Sequence, residues 1–198
     1  VRLQGGLNEA ERLYQKALQL KRGIYTVDDP ELAGGMNNLA LLLKAMGRYR
    51  QADTLYREAL AMKWRMYKGD HEDLATGLLN IGSLQLEQGN FQSASNYLDS
   101  AVAMLNRLGV ERPLLGATVA MRGMAWERGG CTKRALPLAQ EALRIRRKLF
   151  PPIHPATAAS LMQLCSIHLA EGDVAAAQLL ADTALAMRRT LYAAEQDH

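Results

Sequence analysis

One pair of residues in this 198-residue chain has the types and spacing for covalent chemistry. Cys165 and His168 stand one helical turn apart, so an imidazole could activate a thiol for nucleophilic attack. The sequence supplies no third orienting group, no cleft-forming glycine motif and no oxyanion donor beside them. Cys165 is therefore interpreted as a packing residue, and no catalytic residue is predicted.

The other candidates for chemistry are equally isolated. Cys131 and Cys165 are too few for a disulfide framework or a zinc site. Paired carboxylates, metal-ligand spacings and phosphate-cradling glycine loops are absent from the sequence. His71 and His154 occupy equivalent places near chain turns, which predicts a turn or cap role for both. We expect neither an enzyme nor a bound metal or cofactor.

The net charge of +4 could suggest a nucleic-acid partner, so the placement of the cations matters. Lys63, Arg65, Arg146 and Arg188 fall near the ends of predicted helices, where the helix dipole stabilises positive charge. Solvated helix ends are predicted, and nucleic-acid binding is not expected. The sequence also contains neither a run of about 18 apolar residues nor a secretory signal, so a cytoplasmic location without membrane insertion is expected.

The elements that carry these residues recur along the chain. "GGLNEAERLYQKALQL" at 5–20 returns 42 residues later as "GRYRQADTLYREALAM" at 47–62, with glycine, alanine, leucine and tyrosine at matching places. Further copies begin at residues 89, 130 and 172, and one of the steps between them is 41 residues instead of 42. A fixed period of this size predicts a solenoid of stacked helical units.

Each unit is predicted to contain two helices. In the first complete copy, Asp29 and Pro30 supply an N-cap and a first-turn proline, and "ELAGGMNNLALLLKAM" continues with helical periodicity up to Gly47. The glycine pairs at 5–6 and 129–130 are interpreted as turns between helices. The predicted division is a half repeat at 5–27, repeats at 28–69, 70–110, 111–152 and 153–192, and a tail at 193–198.

Small residues at equivalent places predict where the two helices of a unit touch. A larger side chain there would force the helices apart, at a cost of about 1–3 kcal/mol. In the first helices these residues are Ala40, Gly82, Gly123 and Cys165, and in the second helices they are Ala59, Ala101, Ala142 and Ala184.

Each unit thus has a turn glycine and small residues where its two helices are predicted to touch, and the copies at 5–20 and 47–62 share a tyrosine on the second helix. This pattern resembles the tetratricopeptide repeat. The 42-residue form, "NNLALLLKAMGRYRQADTLYREALAM" followed by "DHEDLA" or "IHPATA", is similar to the repeats of kinesin light chains and their bacterial relatives. The resemblance implies an all-α, right-handed superhelix of stacked antiparallel helix pairs, with four full units and an N-terminal half unit. It also implies that the first helices line a concave groove in which peptide segments of partner proteins bind.

The resemblance implies a set of groove-facing candidates on the first helices. Asn38 and Asn80 could hold a peptide main chain with their amides, or equally could bond a neighbouring loop of the solenoid itself. Met121, Met124 and Met162 could form an apolar floor for a partner side chain, or belong to the core between repeats. The candidates are Asn37, Asn38, Leu41, Lys44, Thr76, Asn80, Ser83, Glu87, Met121, Met124, Glu127, Arg128, Met162, Gln163 and Ser166.

Arg122 stands out on the first helix of the third unit, since the equivalent residues of the other units are apolar. A buried, unpaired guanidinium is costly, so Arg122 should reach solvent or meet a carboxylate such as Glu127 or one from a neighbouring unit. Trp126 likewise replaces smaller or polar residues in the third unit.

The expected function is a non-catalytic protein–protein interaction scaffold, part of a longer protein, that binds a partner peptide in the groove. The alternative is a self-assembling or structural spacer module that forms a homo-oligomer through its end repeats. That alternative depends on apolar side chains that no further unit covers. They are Leu13, Tyr14 and Leu18 at one end, and Leu180, Leu185 and Met187 at the other.

Overall fold

Helices make up most of the chain. The computed structural model describes residues 2–25, 28–109 and 112–196, with side chains from residue 6 to residue 193. The end of the predicted half repeat, the predicted boundary between repeats 2 and 3, and the end of the tail therefore lie outside the described residues. Within the described ranges the helices are α1 (Arg2–Ile24), α2 (Pro30–Ala45), α3 (Tyr49–Met66), α4 (Glu72–Glu87), α5 (Phe91–Arg107), α6 (Pro113–Arg128), α7 (Thr132–Leu149), α8 (Pro155–Ala170) and α9 (Val174–Gln196).

The helices pack as consecutive antiparallel pairs. The closest packing is within α2/α3, α4/α5, α6/α7 and α8/α9, and each second helix also packs on the first helix of the next pair. Helix α6, a first helix, also contacts the first helices α4 and α8. Among the described residues, no two second helices contact each other to that extent. The first helices are therefore on the inner side of a curved array. The predicted right-handed solenoid of four units preceded by a single helix is confirmed.

Side-chain caps start three of the four first helices. The Asp29 carboxylate accepts from the backbone N–H of Glu31 at 2.7 Å. His71 Nδ1 and His154 Nδ1 each accept from the amide two residues ahead at 3.1 Å. These bonds satisfy amides that have no partner inside the helix. The predicted cap role of both histidines is confirmed.

Each capping histidine is also stacked on the aromatic residue four positions before it. The Tyr67 and His71 rings lie 3.6 Å apart at 5°, and the Phe150 and His154 rings lie 3.9 Å apart at 1°. The aromatic residue ends the second helix of one unit, and the histidine begins the first helix of the next. The pair therefore fixes the connection between consecutive units.

We expect His154→Ala to lower the free energy of unfolding by about 1–2 kcal/mol, because it removes both the cap and the stacked ring. His154→Asn keeps a capping acceptor and loses only the ring, so its cost should be the smaller of the two. Urea denaturation followed by circular dichroism measures both. Equal losses for the two variants would show that the cap contributes nothing.

The turn inside each helix pair contains a glycine with a left-handed backbone. Gly47 has φ of 74°, a conformation that costs other residues strain. Gly89, Gly130 and Gly172 repeat it, with φ of 77°, 78° and 83°. The turn predicted at Gly5 and Gly6 is wrong, because α1 continues through both of them. A helical glycine costs only about 1 kcal/mol, and no proline or side-chain cap interrupts the segment before Leu7.

The predicted small contact positions are all buried. The four alanines of the second helices have no exposed surface, and Cys165 is 6% exposed. At Gly82, an added methyl group would lie 2.8 Å from Leu98 Cγ and 3.4 Å from the carbonyl oxygen of Ala94. The close contact of α4 with α5 therefore requires the absence of a side chain at Gly82.

The apolar core consists of separate clusters. The largest runs from Leu18 to Ile145. A second joins α7, α8 and α9 through residues such as Leu143, Leu161 and Ala184, with Trp126 packed against it. A third lies between the end of α4, α5 and α6. Stability is thus distributed along the array, as expected for stacked units.

Candidate functional site

The candidate site is the inner face, which we define as the surface of α2, α4, α6 and α8 on the concave side of the array. Asn38 is exposed and Asn80 half-buried, and neither amide hydrogen-bonds to another group in the described part of the chain. Asn37 Oδ1 is buried and has no hydrogen-bond partner there. Leu41, which is 54% exposed, presents an apolar side chain to solvent on the same helix.

Several of the sequence candidates connect one first helix to the next. Lys44 Nζ donates to Ser83 Oγ at 2.7 Å, joining α2 to α4. Gln163 Nε2 donates to the carbonyl oxygen of Ala120 at 3.0 Å, joining α8 to α6. Ser83 and Gln163 are 9% and 8% exposed. These polar groups therefore hold the inner face together, while Gln163 Oε1 remains without a partner among the described residues.

An open depression of about 470 Å³ lies between α6 and α8. Six of the sequence candidates line it together with Ala159: Met124, Glu127, Arg128, Met162, Gln163 and Ser166. The sequence analysis missed Ala159, although the repeat makes it equivalent to the predicted Thr76. The depression combines an apolar floor with one acidic and one basic side chain.

Two candidates serve local structure. Met121 packs against the third core cluster. The Thr76 hydroxyl donates to the carbonyl oxygen of Glu72 one turn earlier, at 3.0 Å. Met124 packs against the same cluster as Met121 but also lines the depression, so the methionine floor consists of Met124 and Met162. Glu87, the remaining candidate on α4, is the last residue of that helix and is exposed.

The guanidinium of Arg122 is paired. Its Nε lies against the carboxylate of Asp99 on α5, which belongs to the preceding unit. Burial raises the pKa of Asp99, and the nearby Arg122 charge opposes that shift. Of the alternatives that the sequence left open for Arg122, the structure shows a carboxylate of a neighbouring unit and not Glu127.

The thiol and imidazole that could have formed a reactive pair have different surroundings. Cys165 is buried, and His168 Nδ1 lies 3.3 Å from Asp173 Oδ2, next to the start of α9. Within the described residues no cluster of histidine, cysteine and acidic side chains could hold a metal ion. Over the same residues, no helix has the length and apolar character needed to span a bilayer.

The apolar ends of the array are only partly as predicted. Leu13 and Tyr14 on α1 are 55% and 40% exposed, and Leu185 on α9 is 48% exposed. Leu18 was expected to be uncovered, but it is 5% exposed, because α1 packs on α2 and places it over Gly35. Leu180 and Met187 are half-buried against the second core cluster.

Two segments of the chain match family models. Residues 1–63 match a family model described as tetratricopeptide repeat, and residues 130–156 match a second model with the same description. A search of curated protein sequences finds no significant match.

Solved structures share the fold across almost the whole chain. The kinesin light chain-type protein from Podosopora anserina, with nearly identical TPR-like repeats, is 20% identical over 96% of this chain and 90% of its own, with a TM-score of 0.75. BtubC (BKLC) from P. vanneervenii is 24% identical over 96% of this chain and 76% of its own, with a TM-score of 0.81.

A third solved structure extends the likeness. Aspartyl phosphate phosphatase F from Bacillus subtilis is 16% identical over 96% of this chain, with a TM-score of 0.80, and this chain spans 49% of its length. At these identities the likeness concerns the fold. The predicted tetratricopeptide repeats are confirmed in the two matched segments, and the superhelical fold is shared across almost the whole chain.

Proposed function

We propose that this chain, an array of tetratricopeptide repeats of the kinesin light chain-like type, is a non-catalytic scaffold that binds a peptide segment of a partner protein on its inner face. The observation that carries the proposal is the depression between α6 and α8. It is open to solvent and has a volume of about 470 Å³, enough for one or two side chains of a bound segment.

The chemistry of the depression favours a segment with an apolar side chain. Met124, Met162 and Ala159 offer an apolar floor, and methionine adapts to partners of different shape. Glu127 and Arg128 line the same depression and can pair with charged residues of the segment. We infer a peptide that carries leucine, methionine or a similar residue next to charged ones.

The amides of α2 and α4 supply a second kind of contact. Asn38 and Asn80 have no other hydrogen-bond partner in the described residues, so each can donate and accept at a peptide main chain. Main-chain contacts are independent of sequence and supply affinity, while the depression supplies selectivity.

The experiment is a selection of peptides from a displayed library on the whole chain, followed by affinity measurement by calorimetry. Ala159→Lys introduces a long charged side chain into the depression and is expected to weaken the selected peptides about tenfold or more. Asn38→Ala combined with Asn80→Ala should weaken every selected peptide to a similar degree. Ala103→Lys is the matched control, since Ala103 is an exposed alanine on the second helix α5.

Two results would contradict the proposal. Selected peptides that bind Ala159→Lys and the asparagine double variant as tightly as the unchanged chain must occupy another surface. Equal losses for Ala103→Lys and Ala159→Lys would indicate a nonspecific effect of the added charge.

A further inference from the structure

Met162 is the most exposed of the nine methionines of the chain. Its side chain is 40% exposed, whereas Met36, Met62 and Met104 are 5%, 8% and 3% exposed. The other five methionines are half-buried: Met46, Met66, Met121, Met124 and Met187. Because a thioether must meet a dissolved oxidant to react with it, Met162 is the methionine most open to oxidation.

Met162 also lies where a change of polarity affects the candidate site. It lines the depression between α6 and α8, and with Met124 it forms the methionine floor. In the other complete units the equivalent residues are Asn37, Leu79 and Ala120. An oxidisable side chain therefore occurs at this place of the inner face in the fourth unit alone.

Two free hydrogen-bond donors line the same depression. Ser166 is on α8 four residues after Met162, and therefore on the same face of the helix. Arg128 is the last residue of α6. Both are exposed, and neither the hydroxyl nor the guanidinium is hydrogen-bonded or ion-paired within the described part of the chain. An oxygen added to the Met162 sulfur would therefore share the depression with two donors that have no other partner there.

We propose that Met162 is an oxidation site that regulates binding on the inner face, an inference that rests on the proposed function. The lone pair of the thioether sulfur attacks one oxygen of hydrogen peroxide, so that an S–O bond forms and the O–O bond breaks. The departing hydroxide takes the proton of the transferred hydroxyl group and leaves as water. The sulfur is oxidised to the sulfoxide, the peroxide is reduced, and a methionine sulfoxide reductase restores the thioether.

Oxidation changes what the depression can bind. The sulfoxide is polar, and its oxygen accepts hydrogen bonds from water, Ser166 or Arg128. An apolar side chain of a bound segment would displace that water and contact a polar group in place of the thioether, which is costly. A guanidinium that bonds the sulfoxide is also no longer free to pair with a charged residue of the segment. The reduced chain therefore binds the segment, and the oxidised chain releases it.

The first measurement is limited treatment of the whole chain with hydrogen peroxide, followed by mass spectrometry of its proteolytic fragments. We expect Met162 to be oxidised about tenfold faster than Met36, Met62 or Met104, because oxidation follows exposure. Cys131 is exposed and also reacts, so a thiol reductant is added before any binding measurement to reverse disulfides while the sulfoxide stays in place. Faster oxidation of any other methionine would overturn the proposal.

The second measurement is the affinity of a selected peptide that Ala159→Lys weakens, and that therefore occupies the depression. We expect peroxide to weaken its binding about tenfold or more, and methionine sulfoxide reductase to restore it. Met162→Leu keeps an apolar side chain of similar volume and forms no sulfoxide, so the affinity of this variant should be the same before and after peroxide. Met46→Leu removes a half-buried methionine just after α2, and this control should lose affinity on peroxide treatment as the unchanged chain does.

The outcomes distinguish regulation of the site from the site itself. If oxidation of Met162 leaves the affinity of such a peptide unchanged, or if Met162→Leu remains sensitive to peroxide, the regulation is refuted while the binding site stands. If no selected peptide responds to Ala159→Lys, the proposed function fails, and this inference fails with it.

Discussion

Gly82→Leu is expected to lower the free energy of unfolding by about 3 kcal/mol or more. A first carbon added at Gly82 would already lie 2.8 Å from Leu98 Cγ, and Leu98 has no exposed surface into which it could move. The carbonyl oxygen of Ala94 stands 3.4 Å away on the same helix, so α5 would have to shift away from α4. Chemical denaturation of the two proteins measures the loss.

The matched control is a helical glycine without neighbours. Nothing lies within 4 Å of a carbon added at Gly34 on α2. Gly34→Ala should therefore raise the free energy of unfolding by about 0.5–1 kcal/mol, because alanine restricts the unfolded chain and favours the helix. Gly82→Ala should instead lower it. If Gly82→Ala raised the free energy of unfolding as Gly34→Ala does, the close contact of α4 with α5 would be disproved.

Arg146→Met is expected to cost about 2–3 kcal/mol. The guanidinium of Arg146 donates to Ala156 O at 3.0 Å and to Ser160 Oγ at 2.7 Å, and Ser160 has no exposed surface. Burial lowers the pKa of Arg146, so the charge is already held at a cost that these two bonds offset. Methionine keeps most of the side-chain volume and leaves both acceptors without their donor.

Two further variants test the reason for that loss. Arg147→Met removes an exposed guanidinium at the neighbouring position and should change the free energy of unfolding by less than about 0.5 kcal/mol. Arg146→Leu with Ala156→Leu copies Leu105 and Leu114, which stand at the equivalent positions one unit earlier, and should recover part of the stability. An Arg146→Met protein as stable as Arg147→Met would refute the role of the two bonds.

The repeat period was enough to predict the architecture. Helical periodicity and turn glycines recur in every complete unit, side-chain caps begin three of the four first helices, and agreement among these signals leaves little choice of fold. The prediction failed at Gly5 and Gly6, where the signal for a turn had no supporting proline or side-chain cap. It also failed at Leu18, because burial depends on how far α2 covers α1, and local spacing does not report that.

The candidate site was less predictable than the fold. Spacing identifies the residues that lie on the first helices, but not which neighbour each side chain reaches. Gln163 and Lys44 are long enough to bond the adjacent first helix, and both do so. For Arg122 the sequence left open solvent, Glu127 or a carboxylate of a neighbouring unit, because the choice depends on rotamers and on the stagger between units.

The separate apolar clusters have a consequence for how the protein melts. The C-terminal unit depends on a cluster that it shares only with α7 and Trp126, while the remaining units share the cluster that begins at Leu18. Loss of α8 and α9 would leave the larger cluster intact, so amide hydrogens in these two helices should exchange with solvent ahead of those in α4. The chain should therefore lose its structure from the α9 end inward, without a single cooperative transition.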